Sequence, residues 1–382
     1  MSVVDDAPAA VGVLGQQSQE PGAPHPLSLP SWGDTDDSTL VCRQVQDITH
    51  DVKSFLFEPA EPAQFTHEPG QFVTLQLQID GVPVSRCYTI STPPTRPYLL
   101  GITVKRQPGG LVSNWLHDTM RPGQRISAYG PFGSFTTTGQ TSNKYLFLSG
   151  GSGITPLMSM TRTFYDLGSG ADVVFVHSAR TPSDIIFRNE LRAMASTVRS
   201  IGVVNVCEND SPHEPWDGLR GFLTPEMLLL LAPDLAERTV YCCGPKPYMA
   251  AVRTMLGQLG VDLRHYHEES FTFEDLTVRD WSATPSVELE AEPEPTSFSV
   301  NFVRSGRTIE CAAGESVLDA AFAAGLNPPS SCGQGMCGTC KTTMLSGTVD
   351  MQHNGGIRPR EIAQNKILIC CSSPTSNLSL EL

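Results

Sequence analysis

Cys332, Cys337 and Cys340 fall within nine residues of the stretch SSCGQGMCGTCK, interleaved with Gly333, Gly335 and Gly338. Thiols this close can form a disulfide, a zinc knuckle or the rim of an iron–sulfur cluster. Structural zinc sites generally pair two C-x₂-C knuckles. Cys337 and Cys340 make one, but the later Cys370 and Cys371 are adjacent and cannot make a second. The N-terminus, MSVVDDAPAA, lacks the positive and apolar regions of a secretory signal, so a cytoplasmic, reducing location is expected for the 11 cysteines, and disulfides fit poorly. The spacing C-x₄-C-x₂-C followed by a distant cysteine is that of a [2Fe–2S] loop. Such a cluster with four thiolates is a dianion, and glycines let backbone N–H groups turn toward its sulfurs as in an anion-binding nest.

Upstream, four short motifs carry further chemistry. SRCYTIST holds Arg86, Tyr88 and Thr89 in alternation along an expected strand. KRQPGGLVSNWL runs from Lys105 through Gly109 and Gly110 to Ser113 at the mouth of a helix, where free N–H groups and the helix dipole favour a phosphate. FLSGGSGITPLMSM ends a strand in Gly150, Gly151 and Gly153, and Thr155 and Pro156 open the next helix. This strand–glycine–helix turn suits a dinucleotide pyrophosphate, although it is not G-x-G-x-x-G. YCCGPKPYM puts Cys243, Gly244 and Pro245 at the end of a later strand, the edge where α/β sheets bind ligands.

The elements that must position these residues read as several domains, as 382 residues lead one to expect. Residues 1–38, rich in Pro, Gly, Ser and Gln, read as a disordered leader. Residues 39–140 contain six strand-like runs separated by turns such as EPG, IDG and RPG, expected to form an antiparallel β-barrel. From 141 to 278 strands alternate with helices, which argues a parallel α/β sheet. ATPSVELEAEPEPT lies in an expected linker, 279–296, and a small domain, 297–382, opens with a hairpin and a helix whose Ser316 and Asp319 are spaced as a capping box. Of the net charge of −14, residues 1–40 hold −6 and the stretch 283–296 holds −4, so the acidity is mostly tail and linker. That distribution argues against a nucleic-acid partner, and no apolar run is long enough to suggest a membrane helix.

The upstream motifs together resemble the ferredoxin–NADP reductase superfamily over residues 40–271, and the C-terminal cysteines resemble those of plant-type ferredoxins of β-grasp fold. In the latter, the last ligand lies about four residues before a proline. In ILICCSSPTSN that proline is Pro374, which implies Cys332, Cys337, Cys340 and Cys370 as ligands, with Cys371 a bystander. The reductase resemblance implies Arg86 at the flavin phosphates, Tyr88 stacked on the isoalloxazine and Thr89 near N5. Lys105, Gly109, Gly110 and Ser113 would serve the flavin pyrophosphate, which favours FAD and leaves FMN open. Gly150, Gly151, Gly153, Thr155 and Pro156 would hold the nicotinamide cofactor, with Cys243, Gly244 and Pro245 beside its ring. HEESF, with Glu269 and Phe271, resembles the closing stretch next to the flavin. Thr89, Cys243 and Glu269 are the implied catalytic group.

Asp184, after the strand VVFVHSAR, suits a ribose hydroxyl and therefore NADH; Arg180 points the other way. The domain order resembles single-chain reductases serving Rieske-type oxygenases, including those that demethylate glycine betaine and related quaternary amines. The acceptor is then a terminal oxygenase or another protein. Reduction of a hybrid-cluster protein, a non-turnover redox-sensing adaptor and a free-flavin reductase are the alternatives.

Overall fold

The structure, a computed structural model, describes residues 29–32, 39–271, 297–326, 328, 330, 333, 335, 338, 340–353, 356–357 and 359–382. Most of the expected leader, the whole linker, and Cys332 and Cys337 lie outside the described residues.

Six antiparallel strands form the first unit: β1 (Thr39–Thr49), β2 (Val52–Pro59), β3 (Phe72–Ile79), β4 (Val82–Thr89), β5 (Leu100–Lys105) and β6 (Arg125–Phe132), with α1 (Leu111–Thr119) before β6. Their order is β4-β3-β6-β1-β2-β5. The bridge Ile90↔Ile102 and the Ser91 N–H to Gly101 carbonyl bond, 2.8 Å, bring the two outer strands together and close the barrel. Alternation drives the closure. Leu75, Leu77 and Ile79 of β3 point inward with Phe55, Phe57, Leu100 and Ile102, while Gln76 and Gln78 face out.

The second unit interleaves strands and helices: β7 (Lys144–Gly150), α2 (Ile154–Leu167), β8 (Asp172–Ala179), α3 (Arg188–Thr197), β9 (Ile201–Cys207), β10 (Leu219–Arg220), α4 (Pro225–Leu231), β11 (Thr239–Cys243), α5 (Lys246–Gln258) and β12 (Tyr266–Glu269). All pairs are parallel, in the order β10-β9-β8-β7-β11-β12. The chain winds one way from β7 and then returns to β11 on its other side. The crevice beyond the C-terminal ends of β7 and β11 is therefore the switch point at which such sheets bind ligands.

Helix α2 fastens this unit to the barrel. Ser159 Oγ donates to the Thr92 carbonyl at 2.9 Å, and Arg162 donates to the Ser91 carbonyl while pairing with Glu190. The bidentate Arg96–Asp166 bond, 2.7 and 2.9 Å, braces the same seam. The Ser91 and Thr92 carbonyls sit two and three residues past Thr89, so α2 is held against the segment that follows β4.

The third unit comprises β13 (Ser297–Phe302), β14 (Arg307–Ala312), α6 (Val317–Ala323), β15 (Lys341–Ser346), β16 (Val349–Met351), α7 (Pro359–Ala363), β17 (Lys366–Leu368), β18 (Ser372–Pro374) and β19 (Leu378–Leu380). Its main sheet runs β14-β13-β19-β15-β17, with the parallel pair β13–β19 at its middle and α6 packed on its core. The Ser316 hydroxyl accepts the Asp319 N–H at 3.1 Å, the expected N-cap, a contact type that contributes about 1 kcal/mol.

Candidate functional site

Strand pairing places the first group. β3 and β4 align Leu75 with Arg86, Val73 with Tyr88 and Phe72 with Thr89. Arg86 and Tyr88 share one face by the two-residue period. The ring of Tyr88 packs against the barrel core, and burial pushes its phenol well above the ordinary value. Arg86 donates to the Ser85 carbonyl at 2.8 Å; among the described residues no carboxylate pairs with it, which leaves its charge for an anion. Thr89 is buried at the strand's end.

The turn after β5 is shaped by packing as much as by conformation. Gly109 has φ +73°, and a Cβ on Gly110 would lie 2.6 Å from Ser113 Oγ. Ser113 Oγ accepts the Gln107 N–H at 3.2 Å and donates to the Gly110 carbonyl at 3.3 Å. The hydroxyl thus closes the turn from inside, while Gly110 caps α1. Lys105 pairs with Asp51 at 3.3 Å.

At the switch point, Gly151 takes φ +53° and Gly153 caps α2. Thr155 Oγ1 donates to the Ser152 carbonyl at 3.2 Å, and Pro156, in the first helical turn, forfeits no helix bond. The turn touches β11 backbone to backbone: a Cβ on Gly153 would stand 2.2 Å from the Cys243 carbonyl oxygen. Gly150 instead faces the side chains of Pro245 and Tyr248, and a Cβ on Gly244 would lie 3.1 Å from the Gly150 nitrogen.

Register then aligns a polar row across the sheet, Glu269, Cys243, Ser149, His177 and Asn205, of which the middle three are fully buried. Burial holds the Cys243 thiol far above its usual range, with the Glu269 carboxyl adding to the effect. Ser149 Oγ and His177 Nδ1 are 2.8 Å apart, and burial lowers the imidazole to about 3. Phe271 packs, partly buried, against the core cluster that includes Cys243. Among the described residues, Glu269 Oε2 is buried without a hydrogen-bond partner. Burial, followed by the nearby Cys87 thiol, pushes the Glu269 carboxyl up to about 8. Its proximity to Cys87 brings it to the strand that carries Tyr88 and Thr89. The three expected catalytic residues therefore come from β4, β11 and β12: register sets Glu269 level with Cys243, and Cys87, which acts on the Glu269 carboxyl, lies two residues before Thr89.

A carboxyl at about 8 when folded, against 4.5 ordinarily, makes the folded chain bind the extra proton. Its contribution to stability is full below the unfolded value and fades as pH rises toward about 8, by at most about 1.4 kcal/mol per pH unit. Glu269→Gln should therefore flatten the decline of melting temperature between about pH 5 and about pH 8. Equal slopes in the two proteins would mean that this carboxyl does not titrate in that window.

One expected residue faces elsewhere. Asp184, read from the sequence as a ribose ligand, is 8% exposed; its Oδ1 accepts from Arg180 at 3.0 Å and its Oδ2 from the Thr181 hydroxyl at 2.8 Å. Its carboxylate turns into the seam with the β1–β2 turn, where His50 Nε2 lies 4.0 Å away. Sequence reasoning also missed His177, Ser149 and the β1–β2 turn. Their roles depend on cross-strand register and domain packing, which no local motif announces.

In the third unit, Cys340 is buried immediately before β15, and Cys370 lies in the single 3₁₀ turn Ile369–Cys371. The Ile369 N–H donates to the Cys340 carbonyl at 3.4 Å and so ties the two together. The Gly335 N–H points at Cys370 Sγ, 3.2 Å away. Gly333, Gly335 and Gly338 have φ of +64°, +69° and +71°, conformations that favour glycine. A thiolate receiving a backbone N–H from a left-handed glycine is the surrounding a cluster sulfur needs, so the described residues fit a [2Fe–2S] group. Cys371 donates to the Leu368 carbonyl at 3.6 Å.

Known proteins agree with this layout. Residues 39–137 match an oxidoreductase FAD-binding domain, 147–254 an oxidoreductase NAD-binding domain and 300–375 a 2Fe-2S iron-sulfur cluster binding domain. The chain is 44% identical to the glycine betaine monooxygenase reductase subunit of Pseudomonas aeruginosa over 360 residues, covering 94% of this chain and 98% of that one. It is 43% identical to the stachydrine N-demethylase reductase subunit of Rhizobium meliloti, covering 92% and 98%. Among solved structures it resembles phthalate dioxygenase reductase, with TM-score 0.53, 26% identity and coverage of 90% and 97%.

Proposed function

Because this chain belongs to the family of FAD-, NAD- and [2Fe–2S]-binding reductase components of oxygenase systems, we propose that its acceptor is a Rieske-type oxygenase that demethylates a quaternary or related alkylammonium substrate. The chain is an NADH-dependent oxidoreductase that carries electrons from NADH through FAD to the cluster. Bound there, the flavin converts a two-electron hydride into single electrons that a [2Fe–2S] centre can take. The observation that supports the acceptor is the near full-length match to two reductase subunits, one named for glycine betaine monooxygenase and the other for stachydrine N-demethylase. A plant-type cluster near about −400 mV also lies below the range of Rieske centres, so transfer runs downhill.

The protein's own residues prepare the reaction by binding and exclusion of water. Arg86 would neutralise flavin phosphate, Tyr88 would lie on the ring, and Thr89 would offer its hydroxyl near N5. Lys105, Gly109 and Gly110 would line the flavin pyrophosphate, with Ser113 holding their turn closed. Gly150, Gly151 and Gly153 would admit the nicotinamide nucleotide close to the backbone, with Thr155 and Pro156 fixing the start of α2. Cys243, Gly244 and Pro245 would flank the nicotinamide, and Phe271 would shield the ring. Glu269, protonated near neutral pH, would offer a proton rather than a charge. Cys340 and Cys370 would ligate the cluster with Cys332 and Cys337. NADH supply and free thiols favour a cytoplasmic setting.

The direct test mixes NADH-reduced protein with a glycine betaine-type Rieske oxygenase component without oxygen and follows bleaching of the Rieske chromophore. Reduction within seconds, and NADH-dependent formaldehyde release once oxygen is admitted, are expected. Failure to reduce that centre while a hybrid-cluster protein is reduced would replace the proposed acceptor. No steady turnover with any one-electron acceptor would favour the adaptor instead.

A further inference from the structure

The C-terminal end of β8, next to the switch point, is where doubly wound sheets read the ribose 2′-position, and an arginine there ordinarily accepts a 2′-phosphate. Arg180 occupies that place in a chain whose matching domain binds NAD. The Arg180 side chain is 60% exposed and faces two carboxylates. Arg180 Nη2 lies 3.0 Å from Asp184 Oδ1 and 3.7 Å from Asp51 Oδ2. Asp51 comes from the β1–β2 turn of the other domain, and its side chain is 19% exposed. It is itself held by the Thr49 hydroxyl at 2.9 Å and by Lys105 at 3.3 Å. Two carboxylates thus balance two cations, with His50 within 4.0 Å of both acids. His50, Asp51 and Asp184 also have the spacing of a metal site, but Lys105 and Arg180 already occupy the charge that a cation would need.

We infer that Asp51, reaching across from the flavin barrel, is a specificity-determining residue that holds Arg180 in an ion pair and so disfavours the 2′-phosphate of NADPH. A 2′-hydroxyl carries no charge and meets no penalty at a balanced site. A dianion meets a guanidinium already matched and two fixed negative charges beside it, and screening weakens this only partly at such short range. The inference rests on the reading that the nucleotide lies along the edge formed by β7, β8 and β11.

The experiment compares kcat/KM for NADPH and NADH in the holoprotein, with ferricyanide as acceptor, in wild type, Asp51→Asn, Asp51→Glu, Arg180→Ala and the Asp51→Asn/Arg180→Ala pair. Flavin absorbance in each variant reports an intact barrel. Asp51→Asn should raise the NADPH:NADH ratio about tenfold, which is about 1.4 kcal/mol. Asp51→Glu should restore discrimination, and the double variant should lose the gain, because Arg180 is the group released. A ratio unmoved by Asp51→Asn, while Arg180→Ala alters inhibition by 2′,5′-ADP, would overturn the role of Asp51 and leave the nucleotide's placement intact. If Arg180→Ala changes neither KM nor that inhibition, the nucleotide lies elsewhere and the inference fails with its premise.

Discussion

Cys370→Ser should reduce electron delivery to a Rieske acceptor by on the order of 100-fold or more while NADH-driven ferricyanide reduction, available from the flavin, survives. Cys371→Ser, one position on, should change both by little. The two thiols are neighbours in sequence but not in circumstance. The 3₁₀ turn Ile369–Cys371 directs Cys370 toward the glycine loop, where the Gly335 N–H meets its sulfur at 3.2 Å. The same turn sends Cys371 back to the Leu368 carbonyl at 3.6 Å, a bond that requires a protonated thiol. A thiolate is the form that ligates iron, and a serine hydroxyl gives up its proton far less readily. Iron content and visible absorption of the purified variants distinguish the cases directly. Full iron in Cys370→Ser together with loss in Cys371→Ser would transfer the fourth ligand to Cys371.

The barrel was legible because its signal is local. In QFVTLQLQI the outward residues are glutamines and the inward ones apolar, and β3 buries that pattern. The α/β unit was legible from alternation of strand and helix, and its glycine turns fall at the switch point as their strand–helix context implied. β12 was less so. YHEE has neither the β-branched residues nor the alternation of a typical strand, and it becomes one only by pairing with β11. That pairing sets Glu269 level with Cys243, which sequence alone could place only by resemblance. Asp184 shows the opposite failure. Its position after β8 was correctly noticed, but which way its carboxylate turns depends on Arg180, Thr181 and a turn from another domain. Motifs fix which residue types are near an edge; packing decides what each one faces.

Gly153→Ala should be among the most damaging single-methyl changes in the nicotinamide unit, and its neighbour supplies the control. Gly153 has φ −63° and ψ −3°, a right-handed conformation that alanine adopts readily. On conformational grounds alone the substitution should stabilise by about 0.4–1 kcal/mol. The obstacle is contact: the new Cβ would stand 2.2 Å from the Cys243 carbonyl oxygen, 2.4 Å from its carbon and 2.6 Å from the Gly244 nitrogen. All three atoms are backbone at the end of a buried central strand, so no side chain can swing aside. Overpacking of this kind costs about 1–3 kcal/mol and sometimes more, and relief requires the glycine turn to retreat from β11. A displacement of about 1 Å between groups that align a hydride donor and acceptor costs on the order of 100-fold in rate. Gly151 reverses both terms: at φ +53° it is in the left-handed region, yet a Cβ there meets nothing within 4 Å among the described residues. Gly151→Ala should therefore cost only about 1 kcal/mol of strain and a few-fold in rate. Stopped-flow reduction by NADH reads the difference, with dithionite reduction showing that flavin and cluster remain bound. Comparable rates in the two variants would mean that the turn can withdraw from Cys243 without moving the nucleotide, and that close approach at this point is not what aligns the reaction.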